Sequence, residues 1–435
     1  MIYRNNTNSK IAIRDSKEEN VILIPSFSNK LKSEELILSP SKNNAQKSSK
    51  NEYSKSLPIL LVEKVKIPNI LDSAANTKDD FGLDNSLEIE NSKFSDDISI
   101  IYQKNVSNLD EKYSLLIGEL NRIPDITFNV FNLSNYSEGN ELLVMMYHLL
   151  HLYNFSETLG IDKTNYKNYF YNVNKKYRKN SYHNSIHGCD VTQTLYFLIK
   201  TCNIDSMCNL NDLETFSCFF ASSIHDLDHP GNNNNYEIAV GSTLAISYND
   251  KAVLENYHLC KAFSLIKKDK CDIFESFSRA NYNTSRAIII NMVLSTDMAN
   301  HFTDLNLTKT RVKAEDFNPA GADKQLMLNQ LIHAADISNP VKPIEIYKEW
   351  VNRVFLEFFL QGDKERDIGL KISYLCDRHT VNVVEAQIGF IDAIVYPLYD
   401  TLSLAFPNMK MINNLINNNK DEFKQMKEKG EKITI

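Results

Sequence analysis

From about Lys112 onward, apolar residues recur at the three- and four-residue spacing of amphipathic α-helices. One such stripe consists of Leu142, Leu143, Met146, Leu149, Leu150, Leu152 and Tyr153. Similar stretches cover residues 192–201, 213–224, 286–302, 325–337, 344–360 and 383–404. The two-residue alternation of β-strands is nearly absent, and the sparse Gly and Pro residues stand between the stretches. The pattern predicts an all-α domain of about 300 residues without an internal repeat.

The N-terminal part of the 435-residue chain has a different composition. Asn, Ser and Lys supply 40 of the first 100 residues, and only short apolar runs such as 21–24 and 57–61 interrupt them. So little apolar surface cannot offset the entropy that is lost when a chain becomes ordered. We therefore expect residues 1–115 to be a low-complexity, largely disordered region and residues 116–425 to form the helical domain. The Asn/Lys bias also suggests an AT-rich genome, such as that of a protozoan parasite.

The charge balance argues against nucleic acid as a partner. Lys and Arg number 48 against 55 Asp and Glu, which gives a net charge of −7, whereas proteins hold phosphate backbones mainly with Lys and Arg. A bound metal would therefore have to attract an anionic substrate. No glycine-rich loop of the kind that binds ATP or NAD is present, which argues against enzymes that use those cofactors.

The cysteines and the hydropathy predict where the protein is located. The seven cysteines are odd in number and include no C-x-x-C pair, which fits free thiols in a reducing compartment. No apolar run approaches the ~18 residues that a membrane-spanning helix requires. We expect no membrane segment in this chain, and a location in the cytoplasm or, if an anchor lies outside this chain, on the cytoplasmic face of a membrane.

Three short segments combine His and Asp in ways that suggest a metal site. His183 and His187 are four residues apart, which on a helix would place both rings on one face. His225-Asp226-Leu227-Asp228-His229 follows an apolar helix, where charged groups are costly unless they are paired or bind metal. Imidazole and carboxylate together suit zinc, iron or manganese, and carboxylate with water suits magnesium. The residues alone also allow ordinary helix histidines and a solvated polar cluster at a helix end.

The third segment contributes one carboxylate, Asp336, at the end of a predicted helix whose apolar face includes Leu328, Leu331 and Ile332. In isolation Asp336 would be interpreted as a structural residue. With the other two segments it completes a possible ligand set of His187, His225, Asp226 and Asp336. Helical scaffolds build metal sites in this way, from inward-facing ligands on several helices.

Taken together, these motifs resemble those of the class I 3′,5′-cyclic nucleotide phosphodiesterases, in order and spacing, across residues 142–407. The matching motifs are Tyr-His-Asn-x-x-His from Tyr182, His-Asp-x-Asp-His-Pro-Gly from His225, Ala-Asp-Ile-Ser-Asn-Pro from Ala335 and Ala-Gln-Ile-Gly-Phe-Ile from Ala386. Residues 248–256 and 295–298 match as well. The chain departs from the family at Ser181, where proline is common, and at Gly188-Cys189, where a different pair of small residues is typical. Neither departure affects a predicted ligand.

The resemblance implies a compact, multi-helix catalytic domain with an HD-type site for two divalent metals. It assigns the tighter metal, usually Zn²⁺, to His187, His225, Asp226 and Asp336. Asp226 would also contact a second metal, Mg²⁺ or Mn²⁺, whose waters His229 and Glu255 would hold. His183 would be the general acid.

The resemblance also implies a pocket for the nucleobase. Gln387 would hydrogen-bond the base and Phe390 would stack on it, although on the residues alone either could be structural. The other substrate-contacting residues would be Tyr182, Met298, Asn339, Val354 and Phe358.

The function that follows is hydrolysis of a 3′,5′-cyclic nucleotide to the nucleoside 5′-monophosphate. The run 387–394 resembles cGMP-selective members of the family more than cAMP-selective ones, which favours cGMP, although 338–340 also occurs in cAMP-selective members. Two alternatives stay open, namely an HD-type phosphohydrolase that acts on another phosphoester and an inactive nucleotide-binding module. A homodimer is a further possibility.

Overall fold

The computed structural model describes residues 111–435, and the side chains of residues 114–435. Residues 1–110 of the predicted low-complexity region therefore lie outside the described residues. The domain boundary near residue 115 stays a prediction. The described residues form α-, 3-10 and π-helices and contain no β-strand. The prediction of an all-α fold is thus confirmed.

The helices follow one another closely along the chain. The first nine are α1 (Glu111–Leu120), α2 (Val130–Tyr136), α3 (Glu141–Leu152), α4 (Phe155–Thr158), α5 (Lys163–Lys176), α6 (Ser185–Thr201), α7 (Ile204–Met207), α8 (Asp212–Ile224) and α9 (Asn234–Ala239). The others are α10 (Thr243–Tyr248), α11 (Val253–Leu265), α12 (Arg279–Leu294), α13 (His301–Arg311), α14 (Lys324–Asp336), α15 (Ile344–Asp367), α16 (Val383–Phe390), α17 (Tyr396–Ala405) and α18 (Lys410–Glu428). The 3-10 helices are Met298–Asn300, Asn339–Val341 and Pro407–Met409, and a π-helix covers Ile391–Val395.

Two helices, α6 and α8, lie at the centre of the domain, where α3, α12 and α14 pack around them. Every residue of α8 from Thr215 to Ile224 is buried, and so is every residue of α6 from His187 to Ile199. Aromatic side chains fill much of the space around α8, and Phe216, Phe219 and Phe220 are completely buried. Burial of such a side chain stabilises the fold by about 1.5–3 kcal/mol. Of the predicted metal ligands, His187 lies in the first turn of α6, His225 and Asp226 follow α8, and Asp336 is the last residue of α14.

The start of α6 places His187 through a local signal in the sequence. The side-chain oxygen of Asn184 accepts hydrogen bonds from the backbone N–H groups of Ile186 and His187, at 2.9 and 3.2 Å. This N-cap satisfies donors that a helix start leaves unpaired. The helix therefore begins at Ser185, and His183 precedes it. The expectation that His183 and His187 share one helical face was wrong, although their rings lie 5.8 Å apart.

The turn after α8 carries His225, Asp226 and His229, and a buried carboxylate holds it in place. Asp228 adopts a left-handed backbone conformation with φ = 64°. Its carboxylate accepts hydrogen bonds from Arg178 at 2.7 Å and from the Tyr257 hydroxyl at 2.6 Å. These contacts connect the turn to α11 and to the loop before α6.

Among the described residues, only the run Val383–Ala405 is both long and apolar enough to cross a membrane. Its buried residues include Val384, Ile391, Leu398 and Leu402, which belong to the hydrophobic core. A core helix passes the same criterion, so this run is weak evidence for a membrane segment. All seven cysteines are free thiols.

Candidate active site

A cavity of about 670 Å³ brings together twelve of the fourteen predicted site residues. The twelve are Tyr182, His183, Asp226, His229, Glu255, Met298, Asp336, Asn339, Val354, Phe358, Gln387 and Phe390. The other two, His187 and His225, lie directly behind the cavity wall and contact Asp226 and Asp336. No predicted site residue lies elsewhere in the fold.

The predicted ligands of the tighter metal form one compact cluster. His225 Nε2 lies 3.1 Å from an oxygen of Asp226 and 3.2 Å from an oxygen of Asp336. His187 Nε2 lies 3.0 Å from the same Asp336 oxygen and 3.5 Å from the same Asp226 oxygen. The exposed fractions of the His187 and His225 side chains are 1% and 0%. Four ligand atoms from three parts of the chain thus converge on one point.

The hydrogen bonding of His225 shows that this cluster fits a cation. Its Nδ1 lies 2.8 Å from the carbonyl oxygen of Ser222, which can only accept, so Nδ1 carries a proton. In neutral His225 the Nε2 lone pair then faces two carboxylates that are also acceptors. Only a positive charge between these groups relieves their repulsion, and imidazole with carboxylate is a common ligand set for Zn²⁺.

The electrostatics of the cluster lead to the same conclusion. Burial disfavours the charged form of His225, but the carboxylates of Asp226 and Asp336 outweigh it and raise its pKa well above the usual value. Burial likewise opposes ionisation of Asp336, yet His225 lowers the pKa of this carboxyl. The cluster therefore stabilises positive charge, supplied either by protons or by a cation.

A second group of side chains surrounds the other oxygen of Asp226. His258 Nε2 lies 3.6 Å from Asp226 Oδ1, and the His229 ring stacks on the His258 ring at 5.5 Å. His258 Nδ1 donates to the carbonyl oxygen of Leu227 at 2.7 Å, so its buried Nε2 is an acceptor that finds no hydrogen-bond donor among the described residues. A metal-bound water could donate to it. Sequence reasoning missed His258, although it lies one helical turn after Glu255.

Glu255 lies at the edge of this second group. Both of its carboxylate oxygens accept hydrogen bonds from the side-chain amide of Asn234, at 3.2 and 3.0 Å. Burial, with the nearby carboxylate of Asp297, raises the pKa of Glu255 to about 7. A cation nearby would keep this group ionised.

A buried carboxylate that sequence reasoning missed, Glu357, fixes the orientation of His183. Glu357 Oε1 lies 2.5 Å from His183 Nδ1, while Oε2 accepts from the backbone N–H groups of Tyr182 and His183 at 2.9 and 3.2 Å. A carboxylate accepts, so Nδ1 donates, and Nε2 is left on the side of Asp226, 4.0 Å from its nearer oxygen. The only signal in the sequence is an acidic residue among Phe355, Phe358 and Phe359.

The same carboxylate controls the charge of His183. Burial would lower the pKa of this imidazole, but Glu357, followed by Asp226, raises it to about 9. Burial would raise the pKa of Glu357, but His183 lowers it to about 2. The pKa of His229, whose ring stacks on His183 at 3.9 Å, is held well below its usual value by burial and by the charge of His183. Of these two stacked imidazoles, His183 therefore carries the positive charge at neutral pH and His229 is neutral.

The other end of the cavity is mostly apolar and contains Gln387. Gln387 Oε1 accepts a hydrogen bond of 2.7 Å from the hydroxyl of Tyr347, a fully buried residue that sequence reasoning also missed. Phe390 lines the cavity from α16, and Val354 and Phe358 line it from α15. This arrangement suits a flat ring with polar edge atoms.

Two further polar side chains that line the cavity, Tyr182 and Asn339, are hydrogen-bonded to each other. Asn339 donates to the Tyr182 hydroxyl at 2.7 Å, and the Tyr182 ring lies 4.5 Å from the ring of His187. Met298, at the cavity mouth, is 44% exposed.

Comparison with known proteins agrees with this geometry. A sequence model of the 3′5′-cyclic nucleotide phosphodiesterase family matches residues 182–416. A probable 3′,5′-cyclic-AMP phosphodiesterase of Caenorhabditis elegans is 38% identical over 310 residues, which is 69% of this chain and 46% of that protein. The 3′,5′-cyclic-AMP phosphodiesterase 4C of Rattus norvegicus is 37% identical over 302 residues, or 67% of this chain and 56% of that protein. The chain thus spans about half the length of these curated relatives.

A further relative and a solved structure extend the comparison. Isoform F of a 3′,5′-cyclic-AMP phosphodiesterase of Drosophila melanogaster is 37% identical over 320 residues, or 72% of this chain and 48% of that protein. The phosphodiesterase domain of the RhoPDE fusion protein from the choanoflagellate Salpingoeca rosetta superposes with a TM-score of 0.66 at 29% identity. That superposition covers 71% of this chain and 96% of the choanoflagellate domain. Because the family match includes more than half of the residues and all the predicted site residues, the chain belongs to the 3′,5′-cyclic nucleotide phosphodiesterase family.

Proposed function

We propose that this protein is a metal-dependent phosphodiesterase that hydrolyses a 3′,5′-cyclic nucleotide to the nucleoside 5′-monophosphate. The observation that carries the proposal is that one cavity contains three kinds of group. A cluster that can bind a cation lies at one end, with the protonated His183 beside it. An apolar slot with the amide of Gln387 lies at the other end. This combination provides for an anionic phosphate, a leaving oxygen and a base. Such a reaction would end or shape a cyclic-nucleotide signal.

His187, His225, Asp226 and Asp336 are proposed to hold the tighter cation. Zn²⁺ fits their two imidazoles and two carboxylates. The second cation, Mg²⁺ or Mn²⁺, would contact Asp226, with His229 and Glu255 holding its waters. When bound, two such metals supply a hydroxide at neutral pH and neutralise charge on the phosphoryl oxygens.

His183 is proposed to donate a proton to the 3′-oxygen as this oxygen leaves the phosphorus. The N–H group of Nδ1 donates its hydrogen bond to Glu357, so the proton on Nε2 is the one available to a substrate in the cavity. The raised pKa keeps the imidazole protonated at pH 7. General-acid catalysis of this kind contributes roughly 10²–10⁴-fold to the rate.

Gln387 and Phe390 are proposed to bind the base, between α16 and the Val354 and Phe358 side chains of α15. With the Tyr347 hydroxyl on Gln387 Oε1, the amide offers one N–H donor group and a second acceptor lone pair. Tyr182, Met298 and Asn339 would contact other parts of the substrate.

We infer that cAMP is the preferred substrate. The sequence favoured cGMP, but the three curated relatives are all named cyclic-AMP phosphodiesterases, which gives cGMP no support. The edge of adenine offers a donor at N6 beside ring nitrogens that accept, and these groups complement the amide of Gln387.

A hydrolysis panel tests the proposal. The purified full chain would be assayed with cAMP, cGMP and an unrelated phosphodiester such as bis(p-nitrophenyl) phosphate, before and after chelation and with Mg²⁺, Mn²⁺ or Zn²⁺ restored. We expect 5′-AMP as the main product, the highest kcat/KM for cAMP and loss of activity on chelation. Turnover of the unrelated phosphodiester alone would indicate a broader phosphohydrolase. Cyclic-nucleotide binding without turnover by the metal-loaded chain would indicate an inactive module.

Two further proposals concern the whole protein. The sequence suggested a cytoplasmic location and a possible homodimer. Fractionation of cells and light scattering of the purified chain would test them separately.

A further inference from the structure

The C-terminal helix α18 continues beyond the part of the chain that the family model matches. That match ends at residue 416, whereas α18 continues to Glu428. Beyond residue 416 the helix buries two side chains, Asn419 and Phe423, of which Phe423 is completely inaccessible. Phe423 contacts α15 and Asn419 contacts the turn at Asn339, and both of these elements line the cavity.

Asn419 holds the segment that presents Asn339 to the cavity. Its side-chain nitrogen donates to the carbonyl oxygens of Pro340 and Lys342, at 2.8 Å each. These two carbonyls belong to the 3-10 turn that starts at Asn339 and to the residue just after it. Because this region is buried, loss of the amide would leave both oxygens unpaired, which is more costly than losing two exposed hydrogen bonds.

Phe423 packs against Tyr347, the residue that holds Gln387. The two ring centroids lie 5.1 Å apart with the rings tilted by 48°. Tyr347 is fully buried, so the packing around its ring decides where its hydroxyl lies. Among the described residues, that hydroxyl makes the hydrogen bond that orients the amide of Gln387. A displaced Tyr347 ring would therefore displace the amide.

Two ion pairs also connect α18 to the base end. Lys420 lies 2.8 Å from Asp392 in the π-helix, and Lys427 lies 3.0 Å from Glu385 in α16. Both acidic partners are at least half exposed, and exposed ion pairs contribute little to stability. The buried contacts of Asn419 and Phe423 therefore dominate the connection.

We propose that the last turns of α18 position substrate-binding residues, with Phe423 acting through Tyr347 on the base-binding amide of Gln387 and Asn419 acting through the turn at Asn339, which lines the same cavity. This inference rests on the proposed function and adds a specificity-determining element to it. Phe423 would be a positioning residue, since it contacts neither the cavity nor a predicted metal ligand. Its role should appear in nucleotide affinity and in the preference between cAMP and cGMP.

The test compares Phe423→Leu with Ile412→Val, a matched change of a fully buried residue on the same helix, three turns before Phe423. Steady-state kinetics on both nucleotides would be measured together with metal content and melting temperature. The fluorescence of Trp350, the sole tryptophan, would report whether α15 is intact. We expect Phe423→Leu to raise KM for the preferred nucleotide about three- to ten-fold and to alter the ratio of the two KM values, with kcat and metal content retained. Ile412→Val should leave both KM values unchanged.

The possible results separate this inference from the proposed function. Unchanged KM values in Phe423→Leu, or a loss of metal and kcat in parallel with KM, would overturn the positioning role. A wild-type chain that hydrolyses neither nucleotide would refute the proposed function, and dissociation constants of both nucleotides from calorimetry would then decide the positioning role. If Phe423→Leu does not fold, Phe423→Met, whose unbranched and flexible side chain adapts to irregular core space, decides by the same criteria.

Discussion

The two ends of the cavity are held together in different ways. At the metal end, the Nε2 atoms of His187 and His225 each lie 3.0–3.5 Å from an oxygen of Asp226 and an oxygen of Asp336, and all four residues lie at or near the end of a helix. At the base end, the amide of Gln387 is held, within the described part of the chain, by one hydroxyl, that of Tyr347. A cluster of like acceptors works only when complete, whereas an apolar slot with one amide loses function gradually. Substitutions at the two ends should therefore differ in the size of their effects.

The largest effect is expected for Asp336→Ala, which removes a carboxylate that faces both His187 and His225. We expect activity to be abolished while the fold is kept. The loss in kcat/KM should exceed the roughly 10–100-fold that follows when only a supporting partner of a metal ligand is changed. Metal analysis, circular dichroism and kinetics would be compared with Asp316→Ala, which removes an exposed carboxylate. Near-normal turnover of Asp336→Ala with metal still bound would show that Asp336 is not a ligand.

His183→Ala tests whether the metal end contains a residue that is not a ligand. We expect kcat to fall by roughly 10²–10⁴-fold, because the leaving oxygen loses its proton donor. Both metals should stay bound, since the four proposed ligands of the tighter metal are His187, His225, Asp226 and Asp336, and His183 Nδ1 is hydrogen-bonded to Glu357. His187→Ala provides the contrast and should release metal. Loss of one metal equivalent from His183→Ala would mean that the roles of the two histidines are reversed.

The pH profile tests the pairing of His183 with Glu357. The carboxylate raises the pKa of His183 to about 9, and the acid form is lost as the pH rises through that value, so kcat/KM should fall above about pH 9. Glu357→Gln removes the negative charge that raises the pKa of His183. The alkaline limb of the kcat/KM profile should therefore shift to lower pH by at least about one pH unit. The measurement is kcat/KM from pH 6 to 10 at saturating metal. An alkaline limb that does not move would show that Glu357 does not set the charge of the general acid.

The difference between the two ends also explains what could be predicted from the sequence. His225 and Asp226 could be predicted as candidate ligands because they are adjacent and follow an apolar helix, and Asp336 only because it completes a ligand set with the other two segments. His258, Tyr347 and Glu357 were missed, since each lies within a helix and acquires its role only from a partner that is distant in sequence. The motif Tyr-His-Asn-x-x-His did not predict that His183 precedes the helix. The N-cap at Asn184 starts the helix only at Ser185. Burial of single polar residues depends on tertiary packing, which periodicity does not report.

At the base end, Gln387→Ala should weaken binding of both nucleotides without removing metal. A buried hydrogen bond contributes about 0.5–1.5 kcal/mol net, and an unpaired base edge costs about 1–3 kcal/mol. These values correspond to a loss in kcat/KM between a few-fold and roughly a hundred-fold. The loss should appear mainly in KM, since the base is contacted equally in the ground and transition states. Unchanged KM for cAMP and cGMP would make Gln387 a structural residue.

The smallest effect is expected from removing residues 1–110, which contain none of the predicted site residues. All fourteen predicted site residues lie between Tyr182 and Phe390, and the described helices, from Glu111 onward, contain the core that places them. Since the chemistry requires only groups within this part of the chain, kcat should stay within a few-fold of the full chain. Kinetics, metal content and melting temperature of the shortened chain would be measured beside those of the full chain. A shortened chain that folds and binds metal but does not turn over cAMP would mean that the N-terminal region completes or gates the cavity. The contrast between the two ends would then have to be extended by a third element.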